Sequence, residues 1–139
     1  VGRAKRSGGL GSAVRCGWPC TEDEPFFVML GDGLVPKKHI LPKLKAVHDR
    51  FGGSVLAGTP VEPALVSRYG VIAGEQVEPG LWRVTDLVEK PAVNEAPSTL
   101  AIFGRDLLAP QVMELLPEVR PGLGDASQLP DALTALPHT

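Results

Sequence analysis

Phe26-Phe27-Val28-Met29-Leu30-Gly31-Asp32-Gly33 is a short apolar run that ends in an aspartate held between two glycines. A run of this length, bounded by turn residues, reads as a strand buried on both faces and so as a central strand of an α/β sheet. Downstream, Ile40, Leu41, Leu44, Val47, His48 and Phe51 recur at helical spacing, with Pro42 in the first turn and Gly52-Gly53 as a left-handed stop. Ser54 to Ala57 follows directly and reads as a second, parallel strand, which makes a strand-helix-strand unit.

Working outward, the glycine-rich turn Ser7 to Gly11 runs into a segment that can begin a helix. After Gly70, Val71-Ile72-Ala73, a turn through Gly74 and Glu75, and Leu81 to Val88 predict a two-stranded antiparallel excursion. Leu100 to Phe103 is a further apolar run. Leu107, Leu108, Val112, Leu115 and Leu116 predict a helix, with Pro110 in a first turn. Pro117 to Pro130 reads as a loop, and Asp131 to Leu136 as a short closing helix.

The 139 residues predict one domain, and 43% hydrophobic with 22% charged residues is an ordinary folded composition. Fourteen Lys and Arg against 16 Asp and Glu leave a net charge of -2, so no broad basic field draws the chain to nucleic acid or to a membrane. Any phosphate binding must then be local. With neither a membrane-length apolar stretch nor an apolar signal core, the expected location is cytoplasmic. Cys16 and Cys20, separated by three residues and without a second pair, read as unpaired thiols. Val1 is not an initiator, so the chain is expected to be a piece of something longer.

Asp32 stands at the carboxyl end of a strand, where open α/β sheets bind ligands, and its flanking glycines let a ligand approach the backbone. A carboxylate there suits magnesium, which takes one or two protein oxygens and completes its shell with water and phosphates. The alternative is a turn aspartate capping the next helix. Glu89-Lys90-Pro91 closes the excursion. Successive strand residues face opposite ways, so Glu89 and Lys90 reach one ligand only if the strand ends between them, and Pro91, which holds Lys90 extended, predicts that end. The carboxylate suits sugar hydroxyls and the ammonium a phosphate; the alternative is a solvated charge pair. Gly8-Gly9-Leu10-Gly11 lacks the third glycine of a dinucleotide fingerprint, Val14 standing in its place, and suits packing of a base against bare backbone; the alternative is an ordinary flexible turn.

In order and spacing, GLGSAV (Gly9 to Val14), DEPFFVMLGD (Asp23 to Asp32), GGSVLA (Gly52 to Ala57), VSRYGVI (Val66 to Ile72), DLVEKP (Asp86 to Pro91), APSTLAIFGR (Ala96 to Arg105) and QLPDAL (Gln128 to Leu133) resemble the bacterial UTP:glucose-1-phosphate uridylyltransferases. The resemblance implies a Rossmann-like nucleotidyltransferase fold, with a mostly parallel sheet and an antiparallel excursion, incomplete at both ends; residues 1–139 would be a single partial domain. It implies formation of UDP-glucose and pyrophosphate from UTP and glucose 1-phosphate with Mg2+, in a protein that is a homo-oligomer when full length. By position, Asp32 matches a magnesium-binding catalytic aspartate, Gly11 the glycine segment against the uracil, Gly70 and Glu89 groups at the glucose hydroxyls, and Lys90 a catalytic lysine at the phosphates.

The chain departs from that pattern at Gly33, where a second aspartate is usual, at Ser12 (histidine), Ala126 (glutamate), Thr99 (asparagine) and Ala4 (glutamine). The resemblance also sets the triphosphate-binding glycine loop before Val1 and a second metal-binding aspartate beyond Thr139. The alternatives are a relative using dTTP or another sugar 1-phosphate, and a catalytically degenerate homologue that binds a sugar nucleotide.

Overall fold

A computed structural model of the chain describes residues 9–31 and 39–115. Within them are helix α1 (Gly9–Arg15), strand β1 (Phe26–Met29), helix α2 (Ile40–Phe51), strands β2 (Val55–Pro60), β3 (Gly70–Glu78), β4 (Leu81–Glu89) and β5 (Leu100–Leu108), and helix α3 (Gln111–Leu115). This is an α/β arrangement around a five-stranded sheet. The loop and closing helix expected after Leu116 lie outside the described residues.

β5 organises the sheet. β1 pairs with its second half, Phe26 opposite Leu108 to Met29 opposite Arg105, while β2 lines its other edge from Val55 opposite Leu107 to Pro60 opposite Leu100. β3 meets β5 at Val71 opposite Ala101, and β4 pairs with β3. All pairings among the described strands are antiparallel, which corrects the mostly parallel sheet expected from the sequence. The expected unit is still present in altered form. β1 and β2 are each antiparallel to β5 and therefore run the same way, but β5 lies between them. Stepping over one strand means crossing about 9.6 Å, twice the strand spacing. A 12-residue helix such as α2, about 18 Å long, spans that easily.

Side-chain alternation divides the core into two layers. On one face Leu44 of α2 is buried against Ala57 and Leu107, with Ile40, Leu41, Val55 and Phe103 around them. On the other, Ile72, Leu87 and Leu108 meet Val112 and Met113 of α3, and Leu10 and Val14 of α1 pack there with Val28, Leu56 and Leu100. β1 is not buried on both faces as its apolar run suggested. Phe26 and Val28 face the second layer, whereas Phe27 and Met29 are exposed, because α2 packs over β2 and β5.

α2 ends as expected. Gly52 and Gly53 hold φ of 73° and 68°, and the His48 ring, whose Nδ1 lies 2.7 Å from the Gly53 carbonyl, must donate to it. Two other readings change. β3 runs through Gly74 to Glu78, and the hairpin turns at Gly80, whose φ is 76°. Gly74 instead sits at a register shift, where an added Cβ would lie 2.3 Å from the Arg83 carbonyl oxygen. Leu107 and Leu108 belong to β5 rather than to a helix, and α3 begins just after Pro110. Among the described residues no helix is long and apolar enough to cross a membrane.

Candidate functional site

The β3–β4 hairpin assembles the site. Gly70, the first residue of β3, lies directly opposite Glu89, the last of β4. Glu89 is on the same face of the hairpin as Leu87, two residues earlier, and that face carries the layer on which α1 packs through Leu10 and Val14. Gly11, buried within α1, therefore belongs to the same side of the sheet as Glu89. Gly70, Glu89 and Lys90 are brought together, with Gly11 over the same face.

Lys90 differs from its sequence reading in one respect. β4 does end at Glu89, but Lys90 is not extended: its φ is 46°, in the left-handed region that a lysine rarely occupies. Its amide donates to the Tyr69 carbonyl at 3.0 Å, so the residue before Gly70 fixes the residue after Glu89. The strand's alternation is broken at this point, and Lys90 Nζ lies 3.8 Å from Glu89 Oε1. Holding a non-glycine residue there costs about 1–3 kcal/mol, and such strain gathers where a side chain must be aimed. The lysine side chain is 63% exposed, so its ammonium is open to an anion from solvent.

The floor behind the pair is braced by Ser98. Its hydroxyl donates to the Ile72 carbonyl at 2.5 Å and accepts from the Leu100 amide at 2.9 Å, joining β3 to the entry of β5. Nearby, Pro63, Val66, Val93, Ala96, Ser98 and Thr99 line a hollow of about 190 Å³. That is smaller than the roughly 300 Å³ at which small-molecule sites begin, and none of the sequence-predicted site residues lines it.

Asp32 lies outside the described residues, as do Gly33, Ala4 and Ala126. Among the described residues no cluster of three or more His, Cys, Asp or Glu could hold a metal ion. Cys16 and Cys20 are free thiols, as read. The chain leaves β1 toward Asp32 at Leu30, and there sequence reasoning missed two residues. Arg105 Nη1 donates to the Leu30 carbonyl at 2.6 Å and to the Gly104 carbonyl at 2.9 Å, and the Leu30 amide donates to Gly104 at 3.0 Å. A Gly-Arg pair inside an apolar strand was the available signal, since each interrupts a run that packing alone would fill with aliphatic residues.

Asp106, the next residue, was also missed. It is 3% exposed, and burial pushes its pKa up to about 6 against the opposing effects of a hydrogen bond from the Ala57 amide and the charge of Arg105.

A uridylyltransferase of Pseudomonas aeruginosa, named for UTP and glucose 1-phosphate, is 41% identical over 128 residues, which cover 90% of this chain and 46% of that protein. A protein of the same name from Streptococcus pneumoniae serotype 4 is 43% identical over 94% of this chain and 46% of its own length. Among solved structures, a UDP-glucose pyrophosphorylase in complex with UDP-glucose superposes with a TM-score of 0.82 at 35% identity, over 94% of this chain and 50% of that one. This chain thus spans about half the length of the curated relatives it matches. The family model for nucleotidyl transferases matches residues 2–136, nearly the whole sequence, and the chain belongs to the nucleotidyl transferase family.

Proposed function

We propose that this chain is the central part of a single-domain, cytoplasmic UTP:glucose-1-phosphate uridylyltransferase that forms UDP-glucose and pyrophosphate and is a homo-oligomer at full length. One observation supports this most directly: Gly70 opposite Glu89, with Lys90 turned by a left-handed backbone beside them. A carboxylate and a backbone edge suit the hydroxyls of a sugar, and an exposed ammonium within 4 Å of that carboxylate suits the phosphate attached to it.

In the reaction a glucose 1-phosphate oxygen attacks the α-phosphorus of UTP in line. The new P–O bond forms as the bond to the β-phosphate oxygen breaks, and pyrophosphate carries away the electron pair. No protein nucleophile is required, so the work is positioning and charge neutralisation. Glu89 and Gly70 hold the sugar, Lys90 sits against the phosphates, and Gly11 lies against the uracil. Asp32 is the proposed ligand of Mg2+, which supplies neutralisation of phosphate charge when bound.

A chimera in which this chain replaces the segment it matches in the Pseudomonas aeruginosa relative tests the reading. Glu89→Gln should raise the KM for glucose 1-phosphate about ten- to a hundredfold, the loss of a hydrogen bond to a charged acceptor, with little change for UTP. Equal effects on both substrates would refute the division of the site. Product analysis with UTP and dTTP separates this function from that of a relative with another base. Binding of UDP-glucose without pyrophosphate release would instead mark a homologue that has lost the chemistry.

A further inference from the structure

The β3–β4 hairpin hangs from the rest of the sheet by a narrow joint. β3 and β4 pair along nearly their whole length, whereas among the described residues β3 meets β5 at one register pair, Val71 opposite Ala101. At the far end of the hairpin Arg50 holds Glu78, but that ion pair is exposed and screened by water. One residue along from Val71, the register sets Ile72 opposite Leu100, and there the Ser98 hydroxyl enters the joint. It donates to the Ile72 carbonyl at 2.5 Å and accepts from the Leu100 amide at 2.9 Å. With a near-tetrahedral angle at the hydroxyl oxygen, that carbonyl and amide lie about 4.4 Å apart, too far for a direct bond of about 2.9 Å.

We infer that Ser98 is a positioning residue: its hydroxyl sets the spacing between the hairpin and β5, and so where Gly70 and Glu89 meet a sugar. Ile72 and Leu87 form the rung two residues in from Gly70 and Glu89, on the same face. The held carbonyl is therefore about 7 Å along β3 from Gly70. Gly70 has no side chain with which to fix itself, so its place depends on the groups held on either side. The Tyr69 carbonyl takes the Lys90 amide, and the Ile72 carbonyl takes Ser98. Only a hydroxyl offers donor and acceptor on one atom at this size. Alanine would leave the amide and the carbonyl facing each other across the gap, with the pairing around Val71 and Ala101 as the remaining link to β5. Threonine keeps the hydroxyl, and its methyl has room in the hollow of about 190 Å³ that Ser98 lines with Val66, Val93 and Thr99. The inference rests on the reading of Gly70 and Glu89 as sugar-facing groups, and the experiment separates the two.

Ser98→Ala, Ser98→Thr and Glu89→Gln are compared with the parent by two measurements. The first is hydrogen exchange at the Leu100 amide in the 139-residue chain. The second is the KM for each substrate in the chimera. Ser98→Ala should speed Leu100 exchange about three- to tenfold and raise the KM for glucose 1-phosphate by a similar factor, with the KM for UTP within about twofold. Ser98→Thr should return both quantities to within about twofold of the parent. Ser98→Cys, whose thiol is a weak donor and holds its partners farther apart, should behave as Ser98→Ala does, and it carries the test if Ser98→Ala does not fold. Unchanged Leu100 exchange would overturn the part of the hydroxyl in the joint. Faster exchange with an unaltered KM for glucose 1-phosphate, an equal rise for both substrates, or no recovery in Ser98→Thr would overturn the positioning role. An unaltered KM for glucose 1-phosphate in Glu89→Gln would overturn the sugar-site reading itself, whatever Ser98 does.

Discussion

Asp106→Asn should remove a pH dependence of stability that the burial of Asp106 imposes on the parent chain. Asp106 lies in the middle of β5, opposite Val28 on one side and Leu56 on the other, so a carboxylate sits between two apolar neighbours. Its one hydrogen bond, from the Ala57 amide at 3.2 Å, falls where β2 slips register between Leu56 and Gly58 and leaves that amide without a strand partner. Burial raises the folded pKa from 3.8 to about 6. Below the lower value the side chain is protonated in both states and its contribution is intact. As pH rises toward about 6 and beyond, the unfolded chain ionises more readily than the folded one, and stability is lost. At about 1.4 kcal/mol per pH unit the loss is on the order of 3 kcal/mol by neutral pH. Asparagine keeps Oδ1 for Ala57 and never ionises, but its amide group enters a buried site at a pH-independent cost of about 1–3 kcal/mol. The variant should therefore be the less stable protein near pH 4 and overtake the parent by about pH 7. Urea unfolding of both chains at steps between these values, followed by the fluorescence of Trp18 and Trp82, measures the difference. A gap that stays constant with pH would refute the reasoning, because it would mean that Asp106 is as well solvated folded as unfolded.

Gly74→Ala should destabilise the hairpin by about 2 kcal/mol or more, since its Cβ would press on the backbone carbonyl of Arg83 rather than on a side chain that can move aside; a lower urea midpoint checks this. Lys90→Gly should gain about 1 kcal/mol by relieving the left-handed backbone while lowering pyrophosphate release in the chimera at least about tenfold. Melting and activity measured on the same sample test that opposition, and a variant both more stable and fully active would remove Lys90 from the site.

The fold was legible where local chemistry decides it. α2 falls on its periodic residues and ends at the glycine pair, and β1 lies on the apolar run, because helical spacing and left-handed stops are local signals. The pairing was not legible. A strand-helix-strand pattern reads as two adjacent parallel strands, yet β5, which begins 40 residues after β2 ends, inserts between them. Nothing in β1 or β2 encodes that neighbour. The hairpin turn was misread for a related reason: Gly74 and Gly80 are both turn residues on paper. Only tertiary contact shows that one avoids a carbonyl while the other supplies a positive φ.

The candidate site shows the same division between residues and their geometry. Glu89 and Lys90 were singled out by their place before Pro91, and the strand end between them is real, but the expected cause was an extended lysine held by proline. The backbone is instead left-handed at Lys90 and tied to the Tyr69 carbonyl. This difference has a mechanical consequence. An extended Lys90 would keep the alternation of β4 and point away from Glu89, and a ligand could meet one of them only. The left-handed turn breaks the alternation at the cost of local strain, and the Tyr69 bond stops the strain from relaxing. Because that bond comes from the residue before Gly70, the hairpin holds the Glu89 and Lys90 side chains at a fixed spacing. Arg105 does for the end of β1 what Tyr69 does for the end of β4. In both places regular pairing ends, after Met29 and after Glu89, and a hydrogen bond to a backbone carbonyl holds the chain at the next residue.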